Sequence, residues 1–345
     1  MRRRSLVNPA TLSEVARMAG VSVATASRVL NGGARRPSEE LRKRVFDAAL
    51  RLNYTPNAAA QAVARGHTNV VGLIVQDISD PYFSAIASGV MSAADRHDVV
   101  TTLTDTRRSP EREVRYLATL RQQRCRAVIV AGSRTTDRAT ERRLQDSIAA
   151  FTANGGRVAL ISQRVPGVDT VLLENHAGAK NLAHELHDLG HRSFVVLAGP
   201  PELRTSRDRV AGFRQGLADR GVRLPAECVI SAPFTRDGGF AAALEWCDSG
   251  IAATCLFAVN DVMAVGAMAA LRQRGLALPS DVSVAGFDDI APLRDIVPAL
   301  TTVHLPLEQL GEEAMNLVLG DETRLEPRVK RVSGTVVLRE STARL

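Results

Sequence analysis

The sequence has few cysteines and no long apolar run, although it extends over 345 residues. It contains no stretch of 18 apolar residues, so we expect no membrane-spanning helix. No apolar stretch follows the basic first residues, so we expect no secretory signal either. The cysteines form no CxxC pair and have no histidine at metal-ligand spacing, which favours reduced thiols and a cytoplasmic location. They are Cys125, Cys228, Cys247 and Cys255.

Common catalytic and cofactor motifs are also missing. The chain has no glycine-rich dinucleotide motif after a strand, no phosphate-binding P-loop and no GxSxG nucleophile motif. His184 and His187, three apart on a predicted helix, and His191, which follows them, come nearest to metal-ligand spacing, but a structural helix is the simpler interpretation. We therefore expect no enzyme, no metal and no cofactor.

The stretch from Thr11 to Asn31, TLSEVARMAGVSVATASRVLN, has the features of a helix-turn-helix. Thr11 and Glu14 have the spacing of a capping box, and Gly20 stands where the first helix must end. Ser22 can cap a second helix, whose outer face carries short side chains and one arginine, as a groove-reading helix does. An ordinary amphipathic hairpin is the alternative, but the caps, the turn glycine and the apolar positions all agree with the motif. A third helix is predicted after Ser38, ending before Pro56.

Positive charge is concentrated in the same part of the chain. Residues 1–67 contain twelve Arg or Lys and four acids, which gives a net charge of +8. The whole chain carries +7, so residues 68–345 sum to −1. A polyanionic partner for the N-terminal part explains this distribution, because neutralising phosphates supplies most of the sequence-independent affinity for DNA.

From Val70 onward, short β-branched runs alternate with amphipathic helical segments. This alternation predicts parallel sheets covered on both faces, with ligands beyond the carboxyl ends of the strands. The strands are too numerous for one sheet, so we expect two lobes. The predicted strands are 70–75, 99–103, 127–130, 158–161, 171–173, 194–197, 228–230, 255–259 and 282–285. A last helix at 307–319 and a last strand at 331–338 are expected to complete both lobes.

These elements together resemble the lactose/galactose repressor (LacI/GalR) family of bacterial transcription regulators. The matching segments are TLSEVARMAGVSVATASRVLN, LNYTPNAAAQAVARG, VVGLIVQDISDPYF, DLGHRSFVVLAGP, RDRVAGF, FAVNDVMAVGAM, LPSDVSVAGFDD and PALTTVHLP, in the family order. The resemblance implies an α/β protein with a three-helix DNA-binding headpiece at 10–56, a hinge helix at 57–67 and a two-lobed core like that of periplasmic sugar-binding proteins. The first lobe is expected at 68–162 and 305–327, and the second at 163–304 and 328–345.

The resemblance also assigns DNA-binding roles. Val23, Ala24 and Arg28 match positions that read base edges, and Arg can bond guanine in the bidentate manner. Phosphate contacts or the edge of the reading surface are expected at Ser22, Thr25, Ser27 and Asn31, and further DNA contacts at Tyr54, Asn57 and Ala60. The expected operator is a double-stranded pseudo-palindrome with a central CG step.

The predicted hinge helix carries Val63 where the family usually has a leucine. In the family that leucine inserts into the minor groove at the central base step. The insertion costs free energy because it unstacks the base pairs, and the contacts that the protein makes with the bent DNA offset this cost. Valine is shorter, so we expect a shallower kink or weaker binding. The alternative is that Val63 is simply part of a linker.

A small-molecule effector, a sugar or a sugar derivative, is expected between the lobes. Arg209 matches an arginine that holds a sugar hydroxyl or a carboxylate, and Phe234 matches an aromatic that packs on the ligand. Hydrogen-bond acceptors are expected at Asp261 and Asp288. The remaining expected effector-binding residues are Asp80, Phe83, Ser162 and Thr205. Surface charge or strand capping is the alternative for each of these residues.

One departure from the family pattern bears on the ligand. After the strand VALI many members have Asp and Arg, whereas this chain has Ser162 and Gln163. The family's Asp accepts bonds from sugar hydroxyls, so its loss argues against a common hexose. A phosphorylated, acidic or otherwise different effector is favoured instead.

We therefore expect a ligand-responsive transcription regulator, a homodimer whose two headpieces read two half-sites in the nucleoid. The sequence leaves open whether the effector is an inducer, which lowers the affinity of the protein for DNA, or a corepressor, which raises it. Two alternatives are a DNA-binding dimer that has lost its effector response and, with less support, a sugar-binding protein without a regulatory role.

Overall fold

The computed structural model describes residues 10–31, 37–55, 62, 66–320 and 326–345, and of Asn31 only the backbone. The chain divides into two compact units, Met1–Thr68 and Asn69–Leu345. No helix among the described residues is long and apolar enough to cross a membrane.

The first unit contains three helices, α1 (Leu12–Ala19), α2 (Val23–Asn31) and α3 (Glu39–Arg51). The capping box is confirmed, because the Glu14 amide donates to Thr11 Oγ1 at 3.3 Å and the Thr11 amide donates to Glu14 Oε2 at 2.7 Å. Gly20 ends α1 with φ of 64°, a left-handed conformation that suits glycine. Ser22 Oγ accepts from the Thr25 amide at 3.1 Å and caps α2. The three helices share a small core of Val15, Ala16, Ala19, Ala26, Val29, Val45, Ala48 and Ala49.

The second unit contains two parallel sheets, each defining a lobe. The first lobe has a six-stranded sheet in the order β11-β5-β4-β3-β1-β2, and the second has a four-stranded sheet in the order β7-β6-β8-β9. The first-lobe strands are β1 (Val70–Val75), β2 (Val100–Asp105), β3 (Ala127–Ala131), β4 (Arg157–Ser162), β5 (Asp169–Leu173) and β11 (Val329–Val332). The second-lobe strands are β6 (Phe194–Ala198), β7 (Val229–Ser231), β8 (Cys255–Ala258) and β9 (Ser283–Ala285). A separate antiparallel pair joins β10 (Thr302–His304) to β12 (Thr335–Val337).

Helices cover both sheets. Those packed on the first sheet are α4 (Pro81–Arg96), α5 (Pro110–Gln122), α6 (Arg138–Thr152) and α11 (Leu307–Leu319). Those of the second lobe are α7 (Asn175–Asp188), α8 (Arg204–Asp219), α9 (Arg236–Ser249) and α10 (Asp261–Gln273). Close packing fixes α11 against α4, since a Cβ on Gly89 would lie 1.8 Å from the Glu308 carbonyl oxygen.

The lobe boundaries predicted from the sequence need correction. We expected 163–304 and 328–345 in the second lobe, but β5 pairs with β4 and β11 pairs with β5 in the first sheet. The expected strand at 331–338 is two strands that belong to different sheets. The break falls near Gly334, where a Cβ would lie 2.5 Å from Val303 Cγ1. An apolar pattern indicates that a strand is buried but not which sheet it joins. The sequence therefore did not show that β5 and β11 belong to the first-lobe sheet.

Candidate functional site

The outer face of α2 is open to solvent in the first unit. Val23 has 46% of its surface exposed, and Ser22, Ala24 and Arg28 are also exposed. The Arg28 guanidinium is held against its own helix, since its Nε donates to the Ala24 carbonyl oxygen at 3.3 Å. The face therefore presents short side chains around one arginine, which matches the shape and donors that a major groove accepts.

The other predicted DNA contacts have different settings. Thr25 and Ser27 are half-buried beside this face, and Tyr54 is half-buried against the core of the three helices. The side chain of Asn31 and the residues Asn57, Ala60 and Val63 lie outside the described residues. The predicted hinge helix at 57–67 lies largely outside them too, although Ala62 is helical and buried.

A cavity lies between the two lobes, at the carboxyl ends of the first-lobe strands, where open parallel sheets bind ligands. The predicted effector residues that line it are Asp80, Phe83, Ser162, Thr205, Arg209, Phe234 and Asp288. Other lining residues include Gln76, Tyr82, Arg108, Ser133, Gln163, Asn175 and Asn260. Each first-lobe lining residue lies in or near a loop after a strand. The predicted ends of the strands could therefore have identified the first-lobe residues that the sequence analysis did not name.

Asp261 does not line the cavity, which corrects its predicted role. Its side chain is fully buried, with Oδ1 accepting from Thr302 Oγ1 at 2.7 Å and Oδ2 from the Ile290 amide at 3.0 Å. Burial raises the pKa of this carboxyl to about 6. The carboxylate thus organises the loops behind the site, and the preceding residue, Asn260, lines the cavity instead.

On the second-lobe side of the cavity, the Arg209 guanidinium forms hydrogen bonds with three neighbouring groups. Its Nη2 lies 2.7 Å from Asp288 Oδ1, its Nε donates to Asn175 Oδ1 at 2.9 Å, and its Nη1 donates to the Val259 carbonyl oxygen at 2.7 Å. The guanidinium also stacks on Phe287, with Cζ 3.8 Å from the ring centroid. These contacts fix the planar group in one orientation toward the cavity.

Asp288 is held in an unusual backbone conformation, with φ of 123°. Such strain is found at ligand sites where the surrounding structure imposes it. Burial raises the pKa of the Asp288 carboxyl to about 8, with Asp261 adding to the effect and Arg209 opposing it.

The first-lobe side contains a second cluster of charges. Asp80 caps α4 by accepting from the Tyr82 amide at 3.0 Å, and its other oxygen lies 3.3 Å from Arg108 Nη2. The same Nη2 lies 3.4 Å from Asp77 Oδ2. Burial raises the pKa of Asp80, and the nearby Arg108 opposes this effect.

The residues that replace the family's Asp and Arg take part in a buried network. Ser162 Oγ accepts from Arg134 Nε at 3.2 Å, and Arg134 forms a bidentate pair with Glu113 at 2.7 and 3.2 Å. Gln163 Oε1 accepts from the Arg134 amide at 3.0 Å. Its Nε2 donates across to the second lobe, to Thr205 Oγ1 at 3.0 Å and to Asp208 Oδ2 at 3.2 Å.

Backbone hydrogen bonds join the lobes beside Gln163. The Arg204 amide donates to the Arg134 carbonyl oxygen at 2.9 Å, and the Thr136 amide donates to the Glu202 carbonyl oxygen at 2.8 Å. The cavity has a volume of about 50 Å³, equivalent to a few water molecules at roughly 10–15 Å³ each.

The three histidines in and just after α7 are not arranged as metal ligands. His184 Nε2 lies 3.3 Å from Asp219, His187 Nδ1 lies 3.2 Å from Asp188, and His191 Nδ1 lies 2.9 Å from Thr254 Oγ1. Among the described residues, no group of three or more His, Cys, Asp or Glu side chains is placed to hold a metal ion.

A helix-turn-helix unit followed by a two-lobed α/β core with a cleft cavity defines a ligand-responsive DNA-binding regulator. Residues 11–57 match the model of bacterial regulatory proteins of the lacI family, and residues 183–342 match a periplasmic binding protein-like domain. The transcriptional regulator GalS of Salmonella typhimurium is 34% identical over 311 residues, 90% of this chain and 89% of GalS. The chain belongs to the LacI family of transcription regulators.

Solved structures agree with this assignment. The Lac repressor dimer bound to operator and the anti-inducer ONPF has a TM-score of 0.83 at 26% identity, covering 97% of this chain and all of that one. The transcriptional regulator CelR in complex with cellobiose has a TM-score of 0.70 at 27% identity, covering 96% of this chain and 99% of CelR.

Proposed function

We propose that this chain is a repressor that works as a homodimer on operator DNA and is controlled by a sugar or sugar-derived effector in the cleft between its lobes. The observation that carries the proposal is the cavity itself, where Arg209, Asp288 and Asn175 form one hydrogen-bonded cluster on the second-lobe side and Asp80 and Arg108 line the first-lobe side. A polyhydroxylated ligand suits such alternating donors and acceptors.

The DNA-binding part of the proposal rests on α2 and on charge. The exposed face with Val23, Ala24 and Arg28 is suited to base edges, with Ser22, Thr25 and Ser27 beside it for phosphates. Two such faces in a dimer would read a pseudo-palindrome, and we keep the expectation of a central CG step. Asn31, Tyr54, Asn57, Ala60 and Val63 remain proposed contacts.

The coupling would operate through the contacts that join the lobes. A ligand entering the cavity changes the relative free energies of parted and joined lobes, because Gln163 and Thr205 belong to different lobes and both line the cavity. The ligand can shift DNA affinity only by the difference in its affinity for the two states.

A chain with this role acts in the cytoplasm, on the nucleoid, and needs no catalytic activity.

The test is operator affinity of the full chain, measured by fluorescence anisotropy with and without a panel of sugars, sugar acids and sugar phosphates. At least one compound should change the dissociation constant, and Asp288→Asn should reduce that response while the ligand-free affinity stays within about twofold. Specific DNA binding that no member of the panel alters would instead indicate a DNA-binding dimer without effector control.

A further inference from the structure

The cavity contains a cation whose hydrogen-bonding capacity is not fully used. Arg108 follows β2 and lines the cavity, with its backbone in the left-handed region at φ of 60°. Its amide donates to the Gln76 carbonyl oxygen at 2.9 Å, which holds this backbone in place. Its Nε is buried and donates to no group in the part of the chain that the structure describes. A buried donor without an acceptor is costly and rare in folded proteins, so Arg108 Nε is open to an acceptor from outside the chain.

Three arginines at or beside the cavity differ in how closely they are paired. Arg209 lies 2.7 Å from Asp288, and Arg134 lies 2.7 Å from Glu113. Arg108 lies 3.4 Å from Asp77 and 3.3 Å from Asp80. Charge-assisted hydrogen bonds are commonly about 2.7–2.9 Å long. Arg108 is therefore the weakly paired member of the three, and an incoming acceptor has less to displace there.

Asp80 does not depend on Arg108 for its position. Its Oδ1 accepts from the Tyr82 amide at 3.0 Å and caps α4, whatever Arg108 does. Burial raises the pKa of this carboxyl, so a proton can neutralise it more readily than an exposed aspartate. If Arg108 moves away, Asp80 therefore keeps its hydrogen bond from the Tyr82 amide.

The neutral lining residues add donors. Asn175 Oδ1 accepts from Arg209 Nε at 2.9 Å, and Asn260 Oδ1 accepts from the Met263 amide at 3.0 Å. Both side chains therefore use their acceptor within the protein and keep their amide N–H groups for other partners. Arg108 and Arg209 lie on the same lining as the carboxyls of Asp80 and Asp288, so the two amides add neutral donors to two cation–carboxylate pairs.

We propose that the effector carries an anionic oxygen group, a carboxylate or a phosphate, which binds Arg108 in place of Asp77 and Asp80. The inference rests on the proposed function, because it specifies the ligand class of the same cavity. Arg108 would then be a specificity-determining residue, selecting an acidic or phosphorylated compound over its neutral counterpart.

The experiment is thermal melting of the full chain in increasing inorganic phosphate, with sodium chloride adjusted to keep the ionic strength constant. Parallel series use glucose 6-phosphate, gluconate and glucose, which separate a phosphate source from a carboxylate source and from a neutral sugar. An anion that binds the folded state raises the melting temperature, and above its dissociation constant the rise follows the logarithm of the anion concentration. We expect such a rise with phosphate or gluconate and a smaller one with glucose.

Two variants move the result in opposite directions. Arg108→Gln should weaken anion binding about tenfold or more, since it removes a charged donor. Asp77→Asn should tighten it, because it removes a competing carboxylate while Asn Oδ1 can still accept the bonds from Ser79. Arg274→Gln is the matched control: Arg274 pairs with Asp248 on the surface and should leave anion binding unchanged.

The proposal is overturned if no anion raises the melting temperature, if glucose matches the anions, or if Arg108→Gln binds them within about twofold of the wild type. Asp77→Asn keeps the test valid should Arg108→Gln fail to fold. Failure of the proposed function is a separate result: the full chain would then bind no specific DNA, or bind it with an affinity that no compound alters, whatever the anions do to the melting temperature. An operator response to a neutral sugar alone would leave the proposed function standing and remove this inference.

Discussion

Gln163 Nε2 lies 3.0 Å from Thr205 Oγ1, and this hydrogen bond joins the end of β4 in the first lobe to the first turn of α8 in the second. The same amide reaches Asp208, and its oxygen accepts from the Arg134 amide. One side chain thus connects the two lobes beside the cavity, at a position where the sequence departs from the family pattern.

Replacing Gln163 should loosen this connection. Each lost bond removes about 0.5–1.5 kcal/mol, so we expect roughly tenfold faster hydrogen exchange at the amides of Arg204 and Thr136 in Gln163→Ala. Those amides donate across the lobes to Arg134 and Glu202. Gln215→Ala, on the exposed part of α8, is the matched control and should exchange at the wild-type rate. Equal rates in both variants would mean that Gln163 does not hold the lobes together.

Replacing Arg28 should reduce discrimination between DNA sequences. A bidentate contact to guanine contributes about 1–3 kcal/mol of discrimination, so Arg28→Ala should bring specific and non-specific affinities closer by roughly that amount. Competition anisotropy with operator and scrambled DNA measures the ratio. Arg51→Ala, at the exposed end of α3, should leave the ratio unchanged even if both affinities fall. An unchanged ratio in Arg28→Ala would contradict the proposed reading role.

Removing Arg209 should destabilise the core as well as abolish the response to effector. Arg209→Ala removes a buried cation that bonds to Asp288, Asn175 and the Val259 carbonyl oxygen, and breaking such a buried pair costs about 3–5 kcal/mol. Urea unfolding measures this loss, and anisotropy with operator DNA measures the response. The double variant Arg209→Ala/Asp288→Ala should recover part of the lost stability, because the buried carboxyl that has lost its partner is also removed. Fully additive losses would show that the two residues do not act as a pair.

Asp261 should make the stability of the protein depend on pH. Its pKa in the folded state is about 6, above the unfolded value of about 3.9, so the folded state holds the extra proton between these values. The free energy of unfolding of the wild type, relative to Asp261→Asn, should therefore fall as the pH rises from 4 to 6 and level off above that. The slope is at most about 1.4 kcal/mol per pH unit. Urea unfolding at half-unit intervals measures it, and a constant difference would refute the shifted pKa.

The sequence predicted local structure well at helix ends, where the side-chain chemistry of a residue favours one particular cap or turn position. Thr11, Glu14, Gly20 and Ser22 each occupy the cap or turn that their chemistry favours, and they fix both ends of α1 and the start of α2. The last helix, 307–319, has the bounds observed for α11.

Long-range pairing was harder to predict. The pattern of β5 shows that it is buried, but its place beside β4 follows from contacts that its own residues do not encode. The same limit applies in the cavity: Asp261 and Asn260 are neighbours in sequence, and only the fold determines that Asn260 lines the cavity while Asp261 bonds to Thr302. Arg108 was missed because the loop after β2 carries no motif.

The most direct test of the central claim is to capture genomic DNA fragments of the source organism on the purified full chain and sequence them. The capture is performed with and without a small-molecule extract of the same cells, which supplies a co-repressor if one is needed. We predict an enriched pseudo-palindrome with a central CG step, whose recovery changes when the extract is added. Enrichment of no sequence in either condition would contradict the assignment of this chain as a ligand-responsive repressor.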